Sequence, residues 1–306
     1  MQYAGAHGSR TQQEVLVKQL AGKVAVITGA GSGFGREFAR IAAGEGMKLM
    51  LADIQKDALD EAVEEARASG AEAAGLRVDV ASAADVQMLA DHTMEQFGAA
   101  HLLFNNAGVS GCGGFVWEAS LKDWQWVLGV NLMGVVHGTR SFVPLMLKQD
   151  CECHVVNTAS AAGLVCAPLM GVYNVSKHGV VALSETMFHD LRAAGAKVGV
   201  SVLCPAFVPT NIVRSERNRP SELTEEGPPT ASQIAARERT EKAVSSGRLS
   251  AAEVARMTFD AVREGRFYVI THPKLLGSVE LRLQDIGAQR DPSDPYTFKP
   301  GIAVKP

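Results

Sequence analysis

Seven short apolar runs, separated by longer amphipathic stretches, constrain this chain more than any other feature. The runs are KVAVIT (Lys23–Thr28), KLMLAD (Lys48–Asp53), LRVDV (Leu76–Val80), HLLFNN (His101–Asn106), HVVNTAS (His154–Ser160), KVGVSVLCP (Lys197–Pro205) and RFYVIT (Arg266–Thr271). Several are apolar without polar alternation, as strands buried on both faces are. The stretches between them carry helical spacing. One of these, DALDEAVEEARASG (Asp57–Gly70), ends on a glycine suited to a helix C-cap. Strands that alternate with helices imply a parallel sheet covered on both faces. The expected fold is therefore α/β: one doubly wound domain over residues 21–275 with a seven-stranded parallel sheet, an N-terminal arm over 1–20 and a C-terminal arm over 276–306. The first dozen residues read as a disordered arm or a non-native remnant.

Two regions break the rhythm. Residues 213–250 are polar and rich in charge, Pro and Gly, and lie between the sixth and seventh strands. A connection that long is expected to be a lid or disordered, with a helical part over Thr230–Gly247. The tail after Leu283 has turn signals and little periodicity, and reads as an extended surface arm.

The first strand runs into TGAGSGFG (Thr28–Gly35), and a helix begins near Arg36. Gly29, Gly33 and Gly35 allow a tight turn, close approach of a pyrophosphate to backbone N–H groups, and close helix–strand packing. The spacing is TGxxxGxG, and its place between strand and helix gives it meaning. The second strand ends on Asp53, about 20 residues past the glycines, where a carboxylate can accept from both adenosine-ribose hydroxyls. It would repel a 2′-phosphate, and neither Ser32 nor Ile54 supplies a cation to offset that. NAD is expected over NADP.

In GVYNVSKHG (Gly171–Gly179), Tyr173 precedes Lys177 by four residues. On a helix the two share a face. A neighbouring ammonium favours phenolate and would lower the Tyr pKa from its usual value near ~10, giving a proton donor usable near neutral pH.

The formal net charge of −3 gives no electrostatic case for nucleic acid or an anionic membrane. No apolar run is long enough for a membrane span. Five cysteines, an odd number with scattered spacing, argue against a disulfide framework and for a reducing cytoplasm. CECH (Cys151–His154) has no second ligand pair, so no metal is expected.

Taken in order, TGAGSGFG, Asp79 in VDV, NNAG (Asn105–Gly108), Asn131 in GVNLMG, Ser160 in NTAS, and Tyr173 and Lys177 in YNVSK resemble the short-chain dehydrogenase/reductase family over roughly residues 20–275. The resemblance implies a Rossmann-type oxidoreductase with an Asn–Ser–Tyr–Lys tetrad. Tyr173 would be the general acid/base and Ser160 would hold the substrate oxygen. Lys177 would lower the Tyr173 pKa and bond the nicotinamide ribose. Asn131 would anchor a water linking Lys177 to solvent. Cofactor contacts are expected from Gly29, Ser32, Gly33, Phe34, Gly35 and Asp53 at one end. Asp79, Val80, Asn106, Ala107 and Gly108 would border the adenosine, and Pro205, Val208 and Thr210 the nicotinamide end. The family usually has Pro-Gly after the sixth strand; here CPAFVPTNI has Ala206 in the glycine position.

CPAFVPTNI, GVNLMGVVHGTRSFVPLM, the long lid and FYVITHP further resemble bacterial dehydrogenases of bulky benzylic alcohols, including lignin-derived aryl ethers. Substrate would meet Ser160, Met170, Tyr173 and Phe207, with Val109, Cys112, Val165 and Leu169 as further pocket candidates. The set is mostly apolar, which suits a hydrophobic or aromatic secondary alcohol. Arg214, Arg217 and Arg219 could meet an acidic substrate, but read first as a solvated charge run. The alternatives are a ketone reductase, a steroid or alicyclic alcohol dehydrogenase, and a non-enzymatic cofactor-binding protein, which the intact tetrad disfavours. A homo-oligomer, tetramer or dimer, is expected, because the helix carrying Tyr173 has apolar residues on more than one face.

Overall fold

The computed structural model describes residues 17–225 and 227–297. Seven parallel strands form one sheet: β1 (Val24–Thr28), β2 (Lys48–Asp53), β3 (Ala73–Arg77), β4 (Leu102–Asn105), β5 (Cys153–Thr158), β6 (Val198–Cys204) and β7 (Tyr268–Ile270). Their order across the sheet is β3-β2-β1-β4-β5-β6-β7. The strand order reverses between β1 and β4, so the crevice at their carboxyl ends is where an open α/β sheet places a ligand.

Helices α1 (Gly33–Gly44), α2 (Lys56–Ala68) and α8 (Ala251–Glu264) cover one face. Phe38, Phe104 and Phe259 meet there at the centre of the core. Helices α3 (Ala83–Phe97), α5 (Gly134–Gln149) and α6 (Gly171–Ala193) cover the other, through Leu89, Phe142 and Met187. Helix α4 (Leu121–Leu128) joins α5 through a π-helical turn, Gly129–Met133.

Four expectations change. The third strand runs over Ala73–Arg77 rather than Leu76–Val80. It is an edge strand of alternating burial, and its Ala-Ala-Gly start carries little apolar signal. The Val-Asp-Val that suggested a strand leaves the sheet after Val78, whose N–H donates to the Asp53 carbonyl at 3.0 Å. The seventh strand shortens to three residues because only Val202–Cys204 of β6 pair with it. Val17 and Leu20 are buried in the core, so residues 17–20 belong to the domain rather than to an arm; residues 1–16 lie outside the described residues. The C-terminal segment is not an extended surface arm as far as residue 297. Helix α9 (Leu276–Gly287) is followed by a turn that folds back. Asp285 accepts from Ser293 N at 2.8 Å, Ser278 Oγ donates to the Pro295 carbonyl at 2.7 Å, and the Arg239 guanidinium lies 4.6 Å from the Tyr296 ring centre. Residues 298–306 lie outside the described residues.

The long insertion is also held in place. It begins with a 3-10 stretch (Asn211–Asn218) and a short turn (Ser221–Leu223), then forms α7 (Ala231–Ser245), capped by Thr230 and Gln233. Arg219 is not solvated. Its side chain is 6% exposed, pairs with Asp123 at 2.6 Å, and stacks 4.3 Å from Trp126.

Candidate active site

The carboxyl ends of the strands, the insertion and the C-terminal turn enclose a cavity of about 910 Å³. That volume lies toward the upper end of small-molecule sites. At one end is the glycine turn. Gly29 and Gly33 have φ of +67° and +55°, conformations that favour glycine. A side chain at Gly29 would press on Ala107 Cα, at 2.9 Å. Ser32, Gly33 and Phe34 line the cavity where α1 begins, so the backbone N–H groups of that helix start face it. Gly35 does not line it. A Cβ there would overlap the Gly29 carbonyl, so this glycine closes the turn rather than touching a ligand.

Asp53 lines the same end. Its Oδ2 accepts from Gly31 N at 2.8 Å and its Oδ1 from Gln55 N at 2.9 Å. Each oxygen keeps a lone pair for a further donor. Gly31 escaped the sequence reading; a Cβ there would stand 3.0 Å from Asp53 Oδ2. Asp79, Val80, Asn106, Ala107 and Gly108 form the adjoining wall. Asn106 ties it together: Nδ2 donates to the Thr28 carbonyl at 3.0 Å, and Oδ1 accepts from Thr158 at 3.3 Å. Pro205, Phe207, Val208 and Thr210 line the opposite side. Ala206 does not adopt a positive φ, so its place in the family's glycine position strains nothing.

Ser160, Tyr173 and Lys177 converge at the inner end. The helical spacing brings the Lys177 Nζ to 5.8 Å from the Tyr173 ring centre. Nζ donates to the Thr158 carbonyl at 2.9 Å. Ser160 Oγ donates to the Pro205 carbonyl at 3.3 Å, a long bond that can yield to a better acceptor. Burial pushes Lys177 down to about 8. The lowered Tyr173 pKa expected from the sequence is not the outcome. Burial raises it, and the hydrogen bond from Ser160 opposes that only in part. Burial disfavours the charged phenolate, and this is the larger influence on the group.

Asn131 sits behind this group, fully buried within the π turn. Its Oδ1 accepts from Val109 N at 2.8 Å, and its Nδ2 donates to the Val109 carbonyl at 2.9 Å and to Ser176 at 3.2 Å. Through these bonds the Asn131 side chain fixes the Gly108–Val109 loop beside Lys177.

Val165, Met170 and Val109 line the cavity; Cys112 and Leu169 do not. The Cys112 thiol lies against the Asp123 carboxylate, and burial followed by that carboxylate pushes it up to about 12. Leu169, at φ +65°, uses its carbonyl to accept from Gly114 N at 2.9 Å. Trp126 and Gln55 also line the cavity without any sequence signal that would place them there, and so does Arg217, which reads from sequence first as part of a solvated charge run.

Residues 23–221 match the family model described as short chain dehydrogenase. The chain belongs to the short chain dehydrogenase family. A CLA biosynthesis dehydrogenase/reductase from Lactiplantibacillus plantarum is 33% identical over 273 residues, which covers 88% of this chain and 95% of that protein. The C alpha-dehydrogenase of Sphingobium sp. is 30% identical, with 88% and 87% of the two chains covered. A short chain dehydrogenase/reductase from Burkholderia phymatum, solved in complex with NAD, is 58% identical with a TM-score of 0.89, covering 90% of this chain and 98% of that one. Among the described residues of this short chain dehydrogenase, no helix is long and apolar enough to cross a membrane.

The residues present fit a dinucleotide. Gly29, Gly31 and Gly35 leave no room for a Cβ, a helix start faces the cavity, and Asp53 retains acceptor capacity at the far end.

Proposed function

We propose that this protein is an NAD-dependent dehydrogenase/reductase acting on a hydrophobic or aromatic secondary alcohol and its ketone. One observation carries the reading. Ser160, Tyr173 and Lys177 stand at one end of a cavity whose other end is a glycine cradle and a carboxylate. The nicotinamide cofactor, when bound, supplies the acceptor or donor of hydride at the substrate carbon. The rest is the work of this chain's own side chains. Tyr173 takes the alcohol proton in oxidation and returns it in reduction. Ser160 exchanges its weak bond to Pro205 for one to the substrate oxygen. Lys177, fixed by Thr158, favours phenolate at the moment of proton transfer. Asp53 accepts from the adenosine-ribose hydroxyls and disfavours a 2′-phosphate.

Trp126, Val165, Met170 and Phe207 give the substrate end an apolar lining. That lining, with the names of the relatives, supports a bulky apolar alcohol. Closure of the insertion over this end would exclude water during transfer. The exposed apolar side chains of Leu121, Met133, Leu147 and Val175 on and around α4–α6 support assembly into a homo-oligomer, which light scattering reads directly.

The test is Tyr173→Phe, assayed by NAD-coupled oxidation across aromatic, steroid, alicyclic and polyol alcohols. Turnover should fall at least ~10²-fold, the scale of a lost general acid/base, while NADH fluorescence titration shows binding retained. Near-normal turnover by the Phe variant would remove Tyr173 from the mechanism.

A further inference from the structure

The 3-10 stretch after β6 crosses the cleft from the glycine turn to the end of β2. At its start, Thr210 faces Gly33: a Cβ on that glycine would lie 3.5 Å from Thr210 Cβ. Seven residues on, Arg217 reaches the far bank. Its Nε and Nη2 donate to Gln55 Oε1 at 3.3 and 3.1 Å. Gln55 is itself tied to Asp53, through the 2.9 Å bond from its backbone N–H. Arg217 Nη1 donates to the Arg214 and Asn211 carbonyls at 2.7 and 3.4 Å.

All of these acceptors are neutral. Among the described residues Arg217 has no carboxylate partner, although Arg36 and Arg219 each have two. Arg36, the other cation at the glycine turn, is thus occupied by Glu61 and Glu65. The remaining Lys and Arg side chains lining the cavity are Lys177, committed at the inner end, and Lys274 on the turn before α9. The glycine turn offers N–H groups and a helix start but no charge of its own. This guanidinium lines the dinucleotide-sized cavity held by one side-chain amide and two carbonyls, with no anion among the described residues to receive its fork.

We propose that Arg217 is a cofactor residue: it straps the segment after β6 to the turn after β2 and gives the channel between them the positive charge that a dinucleotide's diphosphate matches. The inference rests on the NAD reading above. It adds a residue that no motif of the family points to and that lies 162 positions from its partner Gln55.

NADH fluorescence titration and stopped-flow release, at two ionic strengths, test it on the full chain. Arg217→Ala should weaken NADH binding about tenfold, near the ~1.4 kcal/mol of a charged contact, and should speed release. Its affinity should also respond less to salt than the wild type's. Arg217→Lys should recover part of the affinity, because it keeps the charge and loses the fork. Gln55→Ala should speed release with a smaller loss of affinity, because the charge remains. Circular dichroism of each variant without cofactor separates a folding defect from a binding one; a misfolded Arg217→Ala would leave Arg217→Lys and Gln55→Ala to decide. Affinity and release within twofold of wild type for well-folded Arg217→Ala would overturn the proposal. A wild-type protein that binds no NADH would overturn the NAD reading itself, and the strap with it.

Discussion

Arg219→Met would release the insertion from the body of the domain. The guanidinium donates to Asp123 Oδ1 at 2.6 Å, to Glu216 at 2.8 Å and to the Leu223 carbonyl at 3.1 Å, and it lies over the Trp126 ring. Asp123 is 3% exposed on its side-chain atoms. Burial alone would raise its carboxyl; the hydrogen bonds from Arg219, Cys112 and Ser120 outweigh burial and hold it below the usual range. Methionine fills much of the volume but leaves that carboxylate buried and unpaired, which costs ~3–5 kcal/mol. The protein can escape the cost by opening the insertion locally, so the damage concentrates there. We expect hydrogen exchange over residues 211–223 to accelerate roughly a hundredfold, the equivalent of ~3 kcal/mol. The core helices α1 and α8 should change far less. Asp123→Asn combined with Arg219→Met should restore most of the protection, because no uncompensated charge remains. Unchanged exchange over 211–223 in Arg219→Met would refute the clamp.

Gly35→Ala places a methyl against the Gly29 carbonyl, where backbone must move; overpacking of this kind costs ~1–3 kcal/mol, so calorimetry should show a lower Tm and titration a loss of NADH binding. Asp53→Ala with Ile54→Arg should shift cofactor preference toward NADP by removing repulsion and adding a phosphate partner; a wild type that uses NADP better than NAD would contradict the premise. Lys177→Met tests the buried ammonium. Burial lowers its pKa in the fold from the usual 10.5 to about 8, so the unfolded chain holds the extra proton between those pH values and wild-type stability rises with pH across that window. The variant should therefore be the more stable protein at pH 7, by up to ~3 kcal/mol, and this advantage should vanish toward pH 10.5 in denaturant titrations.

The sheet and the glycine turn were legible because their signals are local. An apolar run of five, a turn too tight for side chains, and a Tyr four residues before a Lys are each complete within a few residues. Asp53 was legible for the same reason, as the last residue of a strand. Arg217 and Arg219 were not. Their partners Gln55 and Asp123 lie 162 and 96 residues away, and nothing in RSERNRP distinguishes a clamping arginine from a solvated one. The C-terminal turn failed in the same way, since Asp285 organises it through hydrogen bonds rather than apolar periodicity. The direction of the Tyr173 shift was missed because burial is a tertiary quantity, while the Lys neighbour that argued the opposite is visible in four letters. Cys112 and Leu169 were apolar and near the right strand, but one turned toward Asp123 and the other gave its backbone to Gly114.

The π turn at Gly129–Met133 fixes a phase relation. It fits one more residue into a turn than the α-helices on either side. Each residue advances an α-helix by about 100°, so this extra one rotates α4 against α5 by that angle without ending the rod. Two sets of side chains can then look in directions that a regular helix would not allow together. Asp123 and Trp126 face the insertion, while Phe142, Val143 and Met146 face the sheet. Deleting a single residue here would leave every helix intact and aim the receptor for Arg219 about a quarter-turn away from it.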